Sequence, residues 1–128
     1  MPKPLKLKEW LPSEEQEQTA LFEWAYQWQP RYPELRWLYA SMNGILTNAA
    51  FGAKLKRLGR RKGIPDVCLP VARGKWHGLY IEMKTREGQV SIEQKECLAF
   101  LQNQGYCALV CRSAKTAEEM IVNYLEEK

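Results

Sequence analysis

The sequence predicts an α/β fold in which a central mixed β-sheet is flanked by α-helices. Three observations carry this. Two short apolar runs, Asp66–Val71 and Gly78–Lys84, flank a polar turn, as the arms of a hairpin do. A third run, "YCALVC" (Tyr106–Cys111), comes after a helix-length segment, the order that feeds a strand back into a sheet. Ser13, Asn48, Ser91 and Thr116 each precede a helix-length stretch and can cap it. The chain has 128 residues, 45% of them apolar, enough for one compact domain with a core.

The elements follow in order. Residues 1–12 read as an extended basic arm punctuated by proline. Residues 13–128 read as one domain. Ser13 caps a helix running to about Trp28, with Gln16 at the capping-box position. "QPRYP" ends it, and Leu35–Ala40 ("LRWLYA") is a plausible strand before the turn "SMNG". Asn48 caps "AAFGAKLKRLG", which is expected to continue into "RRKG". The hairpin strands are expected at about 66–71 and 78–84. "REGQV" is a turn, Ser91 caps "IEQKECLAFLQNQ", and Gly105 stops it. After "YCALVC", Thr116 with Glu119 three residues on caps a last helix.

Composition excludes several classes. The net charge of +4 and pI near 8.9 are compatible with a phosphate-bearing partner. No apolar run reaches the ~20 residues of a membrane span, and "MPKPLKLKEW" lacks a secretory core, so an intracellular protein is expected. The four cysteines, Cys68, Cys97, Cys107 and Cys111, form no C-x-x-C pair and read as free thiols. His77 is the single histidine, which argues against a histidine-ligated metal or a Ser/His/Asp triad.

The chemistry gathers at one end of the hairpin. Side chains alternate along a strand, so Glu82 and Lys84 share a face and Met83 points the other way. A tip near Gly74–Lys75 pairs Asp66 roughly with Met83, within one or two residues for a bulge, which brings Asp66 beside Glu82 and Lys84. Two facing carboxylates repel unless a proton or cation lies between them. A hard divalent cation prefers oxygen ligands and keeps several waters, one of which can serve as a nucleophile. Lys84 can orient or deprotonate that water, or neutralise charge in the transition state.

Two further signals converge there. In the first helix, Glu14, Glu17 and Gln18 extend the apolar stripe of Leu21, Trp24, Ala25 and Trp28. They either serve the helix dipole or point one acid toward the Asp66/Glu82 pair. Immediately before Gly63–Asp66, "KLKRLGRRKG" places Lys54, Lys56, Arg57, Arg60, Arg61 and Lys62. Cations beside an acidic site suit an enzyme acting on a polyanion, although a solvated helix face is the plainer account. Gln94 completes a capping box with Ser91, and it can also face the site.

Pro65-Asp66 followed by Glu82-Met83-Lys84 resembles the P-D…(D/E)-x-K signature of the restriction-endonuclease-like nucleases. More narrowly, "SEEQEQTALFEWA", "MNG", "GIPDVCLPVARGKWHGLYIEMK" and "SIEQKECLAFLQNQGYCALVC" resemble, in order, a stand-alone VRR-NUC domain of bacteria and phages. The resemblance implies a restriction-endonuclease-like sheet and Mg²⁺- or Mn²⁺-dependent hydrolysis of DNA. It implies Asp66 and Glu82 as metal ligands, the Met83 carbonyl as a further one, and Lys84 as the catalytic lysine. Glu14, by its spacing to Gln18, fits the first-helix ligand, with Glu17 as the alternative, and Gln94 is a helper. Lys54, Arg57, Arg60, Arg61 and Lys62 would hold the DNA backbone. A homodimer cutting four-way (Holliday) junctions in a bacterial or phage-infected cytoplasm is expected. The rivals are a flap, nicking or less specific nuclease of the same fold and a non-catalytic nucleic-acid-binding module. Trp37, Phe51 and Trp76 are candidate apolar contacts for a partner copy.

Overall fold

The computed structural model describes residues 13–43 and 48–127, so the basic arm and part of the "SMNG" turn lie outside the described residues. The chain runs α1 (Glu14–Trp28), a 3₁₀ helix (Pro33–Trp37), β1 (Tyr39–Ala40), α2 (Ala49–Arg57), β2 (Val67–Leu69), β3 (Leu79–Met83), α3 (Ile92–Asn103), β4 (Cys107–Cys111) and α4 (Ala114–Glu126). The strands lie in the order β1-β2-β3-β4. β1 and β3 each pair antiparallel with β2, and β4 joins β3 in parallel through the α3 crossover. The result is a mixed sheet of the restriction-endonuclease-like type, as the sequence predicts.

Alternation along the strands divides the sheet into two faces. Val67, Leu69, Leu79, Ile81, Met83 and Cys111 point to one face and form the main core with Leu21 and Ala25 of α1 and Ala117, Ile121 and Leu125 of α4. Each fully buried side chain of this size contributes about 1.5–3 kcal/mol by leaving water. Cys68, Glu82 and Ala108 point to the other face, which α3 partly covers with Leu98. The apolar middles of β2 and β3 thus serve the core, and the alternate positions are free to carry chemistry.

Three local expectations change. Leu35–Ala40 is mostly not strand: Pro33 starts a 3₁₀ helix that buries Leu35, leaving two residues to pair with β2. Helix α2 stops at Arg57 because Gly59 turns the chain at φ +112°, a conformation that favours glycine, so "RRKG" is a loop. The cap of α4 is Ser113, whose hydroxyl accepts from the Thr116 N–H, one turn before the expected position.

The hairpin register falls one residue from the simple count, within the margin expected for a bulge. Arg73 bridges Trp76 at the tip, yet Leu69 pairs with Leu79 and Val67 with Ile81. The extra residue lies between Leu69 and Arg73, where Pro70 supplies no N–H and Val71 donates back to Leu69 at 2.9 Å. Asp66 therefore falls in line with Glu82 rather than Met83. Among the described residues no helix is long and apolar enough to cross a membrane. The four cysteines are free, with Cys68 and Cys111 buried.

Candidate active site

Asp66 arrives at the sheet through a loop fixed at both ends. Gly63 adopts φ +91°, and a Cβ there would sit 2.7 Å from the Glu93 carbonyl oxygen, so the loop lies directly on the first turn of α3. Asn43 holds the same loop from the β1 side. Its Nδ2 donates to the Arg61 carbonyl at 2.9 Å and the Ile64 carbonyl at 3.0 Å, and the Ser41 N–H donates to the Asp66 carbonyl at 2.8 Å. Pro65 is fully buried beside it.

The two acids then lock into each other's backbone. The Met83 N–H donates to Asp66 Oδ2 at 2.8 Å, and the Asp66 N–H donates to Glu82 Oε2 at 3.2 Å. Asp66 is 7% exposed and Glu82 2%. Lys84 Nζ stands 3.7 Å from Glu82 Oε1, with a side chain only 11% exposed. The Met83 side chain points into the core, as alternation requires.

The electrostatics follow from burial. Loss of water pushes the Glu82 carboxyl up to about 8, and the nearby Asp66 charge adds to the shift, while Lys84 opposes it. Burial also raises Asp66, against the Met83 hydrogen bond and the Lys84 charge. Near neutral pH the pair therefore holds a proton that two exposed carboxylates would have released. One lysine does not balance two buried acids, and the missing positive charge is what a cation supplies.

Helices α1 and α3 complete the surroundings. Gln94 Oε1 accepts from the Ser91 N–H at 2.9 Å, and its Nε2 donates to Glu82 Oε1 at 2.5 Å. The cap and the contact with the acid are thus made by one side chain at once. The two first-helix acids separate cleanly. Glu17 accepts from the Ala114 N–H at the start of α4, which ties α1 to α4. Glu14 instead lines the cleft that holds Asp66, Glu82, Lys84 and Gln94.

That cleft has a volume of about 660 Å³ and a basic rim of Lys56, Arg60, Arg61 and Lys62. Lys54 and Arg57 are exposed on α2 and do not line it. Arg60 is partly committed to the fold, with Nε 3.1 Å from Asn43 Oδ1 and Nη2 2.7 Å from the Asn43 carbonyl. Lys62 makes an exposed ion pair with Glu93 at 3.2 Å, a contact that contributes little. Asn43 is the positioning residue that residue-by-residue reading of the sequence missed. "MNG" marks a turn, and nothing local shows that its amide reaches residues 17 to 21 positions away.

The acids fit a hard divalent cation. Both are oxygen donors, both are buried, and their shared proton marks a site short of positive charge. Among the described residues no three His, Cys, Asp or Glu side chains converge on one point. A hard divalent cation commonly takes one or two carboxylates and completes its shell with water and phosphate oxygens.

A mixed sheet whose hairpin sets a Pro-Asp acid against a Glu-x-Lys strand end, beneath a basic rim, defines a nuclease domain of the PD-(D/E)XK type. The chain belongs to the VRR-NUC family: the model of the VRR-NUC domain matches residues 3–115. A solved structure described as a VRR-NUC domain protein superposes with a TM-score of 0.71 at 29% identity, covering 91% of this chain and 93% of the other. No curated protein matches. The membership makes this chain a nuclease with DNA as its substrate class.

Proposed function

We propose that this protein is a Mg²⁺- or Mn²⁺-dependent, structure-specific DNA endonuclease that works as a homodimer on four-way junctions. The observation that supports the chemistry most directly is the buried Asp66–Glu82 pair, with Lys84 3.7 Å from Glu82, at the floor of a basic-rimmed cleft. In this reading Asp66 and Glu82 hold the cation, with the Met83 carbonyl as a further ligand, and Glu14, which lines the same cleft without converging on the pair, would join them by moving closer when the cation binds. The cation, when bound, supplies Lewis acidity at the scissile phosphate and a more acidic water. Gln94 fixes the orientation of Glu82 through their 2.5 Å hydrogen bond. Lys84 holds or moves the proton of the attacking water, or offsets charge on the phosphorane-like transition state. The products carry 5′-phosphate and 3′-hydroxyl ends.

Arg61 and Lys62, with Arg60 behind them, hold the backbone on one side of the site, and Lys54 and Arg57 extend the cationic track along α2. Residues 13–128 act as one nuclease domain, preceded by a basic arm over 1–12, and the protein works inside the cell. Two-fold symmetry suits paired incisions on a symmetric junction. The test offers labelled four-way junction, flap, nicked, single-stranded and linear duplex DNA with Mg²⁺, Mn²⁺ or chelator, and measures mass in solution. Preferential, metal-dependent cutting of the junction by a dimer is expected. Cutting that survives chelation, or that ignores substrate shape, would overturn the reading.

A further inference from the structure

Helix α2 is built unlike the other three helices. It has no buried residue, and among the described residues it packs extensively against no other element of the fold. Its ends are instead secured locally. Asn48 Oδ1 accepts from the Phe51 N–H at 2.7 Å, and Gly59 turns the chain at the other end. Yet the helix is amphipathic. Phe51, Leu55 and Leu58 fall at i, i+4 and i+7, one face of a 3.6-residue repeat. Phe51 is 49% exposed and Leu58 73%. Leu55 between them is half-buried, but among the described residues no element packs closely on the stripe, which leaves it a candidate contact surface.

Charge indicates what covers it. Residues 48–65 contain six cations and no acid. Lys54 and Arg57 stand on the helix beside the stripe, and Lys56 with Gly52 turns toward the cleft that holds Asp66 and Glu82. A second copy docking this helix on its own counterpart would press like charges together. A polyanion with exposed apolar faces meets both halves of the surface. Branched DNA is such a ligand: its phosphates are anionic, and its branch point exposes base faces that a continuous duplex keeps stacked.

We propose that α2 is a branch-recognition helix, whose Phe51–Leu55–Leu58 stripe packs on exposed base faces while Lys54 and Arg57 hold flanking phosphates. The inference rests on the nuclease reading and goes beyond it, because it assigns the choice of substrate shape to residues outside the acidic site. Apolar side chains inserted at opened base steps and aromatic rings stacked on bases are established ways to read such features. The continuity of α2 with the cleft puts the recognised branch next to the scissile phosphate.

The test uses the full chain carrying Phe51→Gln and Leu58→Gln together. Neither residue is buried and Gln is a good helix former, so thermal stability and helix content should hold. Binding is read by anisotropy with Ca²⁺ in place of Mg²⁺, on a four-way junction and a linear duplex of matched length. A 2-aminopurine at the branch reports stacking. The expected result is a loss of about tenfold in junction affinity, the scale of one lost stacking contact. Duplex affinity holds, and the 2-aminopurine quench weakens. A second variant, Lys54→Gln with Arg57→Gln, should weaken both DNAs alike and reduce the salt dependence. Equal binding by the Phe51/Leu58 variant, or parallel loss on both DNAs, would overturn the proposal. So would conversion of a dimer to a monomer, which would make the stripe a self-association face. If the unaltered chain neither binds nor cuts any DNA, the nuclease reading fails and this one falls with it.

Discussion

The two ends of the β2–β3 hairpin treat charge in opposite ways. At the tip, Arg73 donates from Nε to the Leu125 carbonyl at 3.1 Å and from Nη1 to the Ala72 carbonyl at 2.8 Å, and it pairs with Glu34 at 3.6 Å. A cation meets acceptors there, and the contact ties the hairpin to α4 and the 3₁₀ helix. At the other end, two acids are buried together with one lysine for company. The same pair of strands thus carries a satisfied end that serves the fold and an under-neutralised end that does not. Burying like charges side by side weakens a fold. A site that does so is built for a ligand of the opposite charge.

Substitutions should separate these ends. The largest effect is expected from Asp66→Asn, which keeps an oxygen to accept from the Met83 N–H but removes a ligand charge. Cleavage should fall at least about 10²–10³-fold, the scale for losing one preorganised charge-stabilising group. Thermal stability should hold or rise, because repulsion with Glu82 disappears. A large drop in both would mean that the acid end is structural after all.

The next effect concerns pH. Between about 4.5 and about 8, folded Glu82 retains a proton that the unfolded chain has released. Glu82's contribution to the stability of the metal-free protein should therefore be full below about 4.5 and be lost as pH rises toward 8. Urea melts across that range should show the slope in the native chain and flatten it in Glu82→Gln. Saturating Mg²⁺ should flatten it as well, by favouring the folded, deprotonated pair.

Arg73→Ala should do the reverse of Asp66→Asn. It removes one half-buried ion pair and two backbone contacts, lowering stability by about 1–2 kcal/mol while leaving turnover intact. The smallest effect is expected from Asn43→Ala. It frees the loop over residues 60–64 without touching the acids, so KM should rise about fivefold, equivalent to one hydrogen bond of about 1 kcal/mol, with kcat nearly unchanged. Steady-state kinetics on one DNA substrate would check both.

What could be read from the chain beforehand follows the range of the forces involved. Ser13 with Gln16 and Ser91 with Gln94 are legible because a capping box closes over three residues. The gathering of Asp66, Glu82 and Lys84 is legible because strand alternation and hairpin pairing are regular. The one-residue margin in that pairing is used where regularity breaks, at Pro70. Leu35–Ala40 looks like a strand by composition, but Pro33 and the burial of Leu35 against the core favour a tight helical turn. Spacing to Gln18 favours Glu14 over Glu17, but the engagement of Glu17 by the Ala114 N–H shows only when α4 is in place. Asn43 is invisible for the same reason: its partners are main-chain groups and an arginine brought close by the fold.

Gln94 carries a consequence for how this sequence can vary. Its amide oxygen closes the α3 cap while its amide nitrogen holds Glu82. A glutamate could accept from the Ser91 N–H but would set a third acid against the pair. A lysine could reach Glu82 but offers the cap no acceptor. Alanine satisfies neither. The position therefore tolerates only the overlap of two chemical vocabularies, a side chain that is neutral, long and both donor and acceptor. In a saturation library, selection for folding alone and selection for folding plus cutting should part company at residue 94, with glutamate surviving the first and lost from the second.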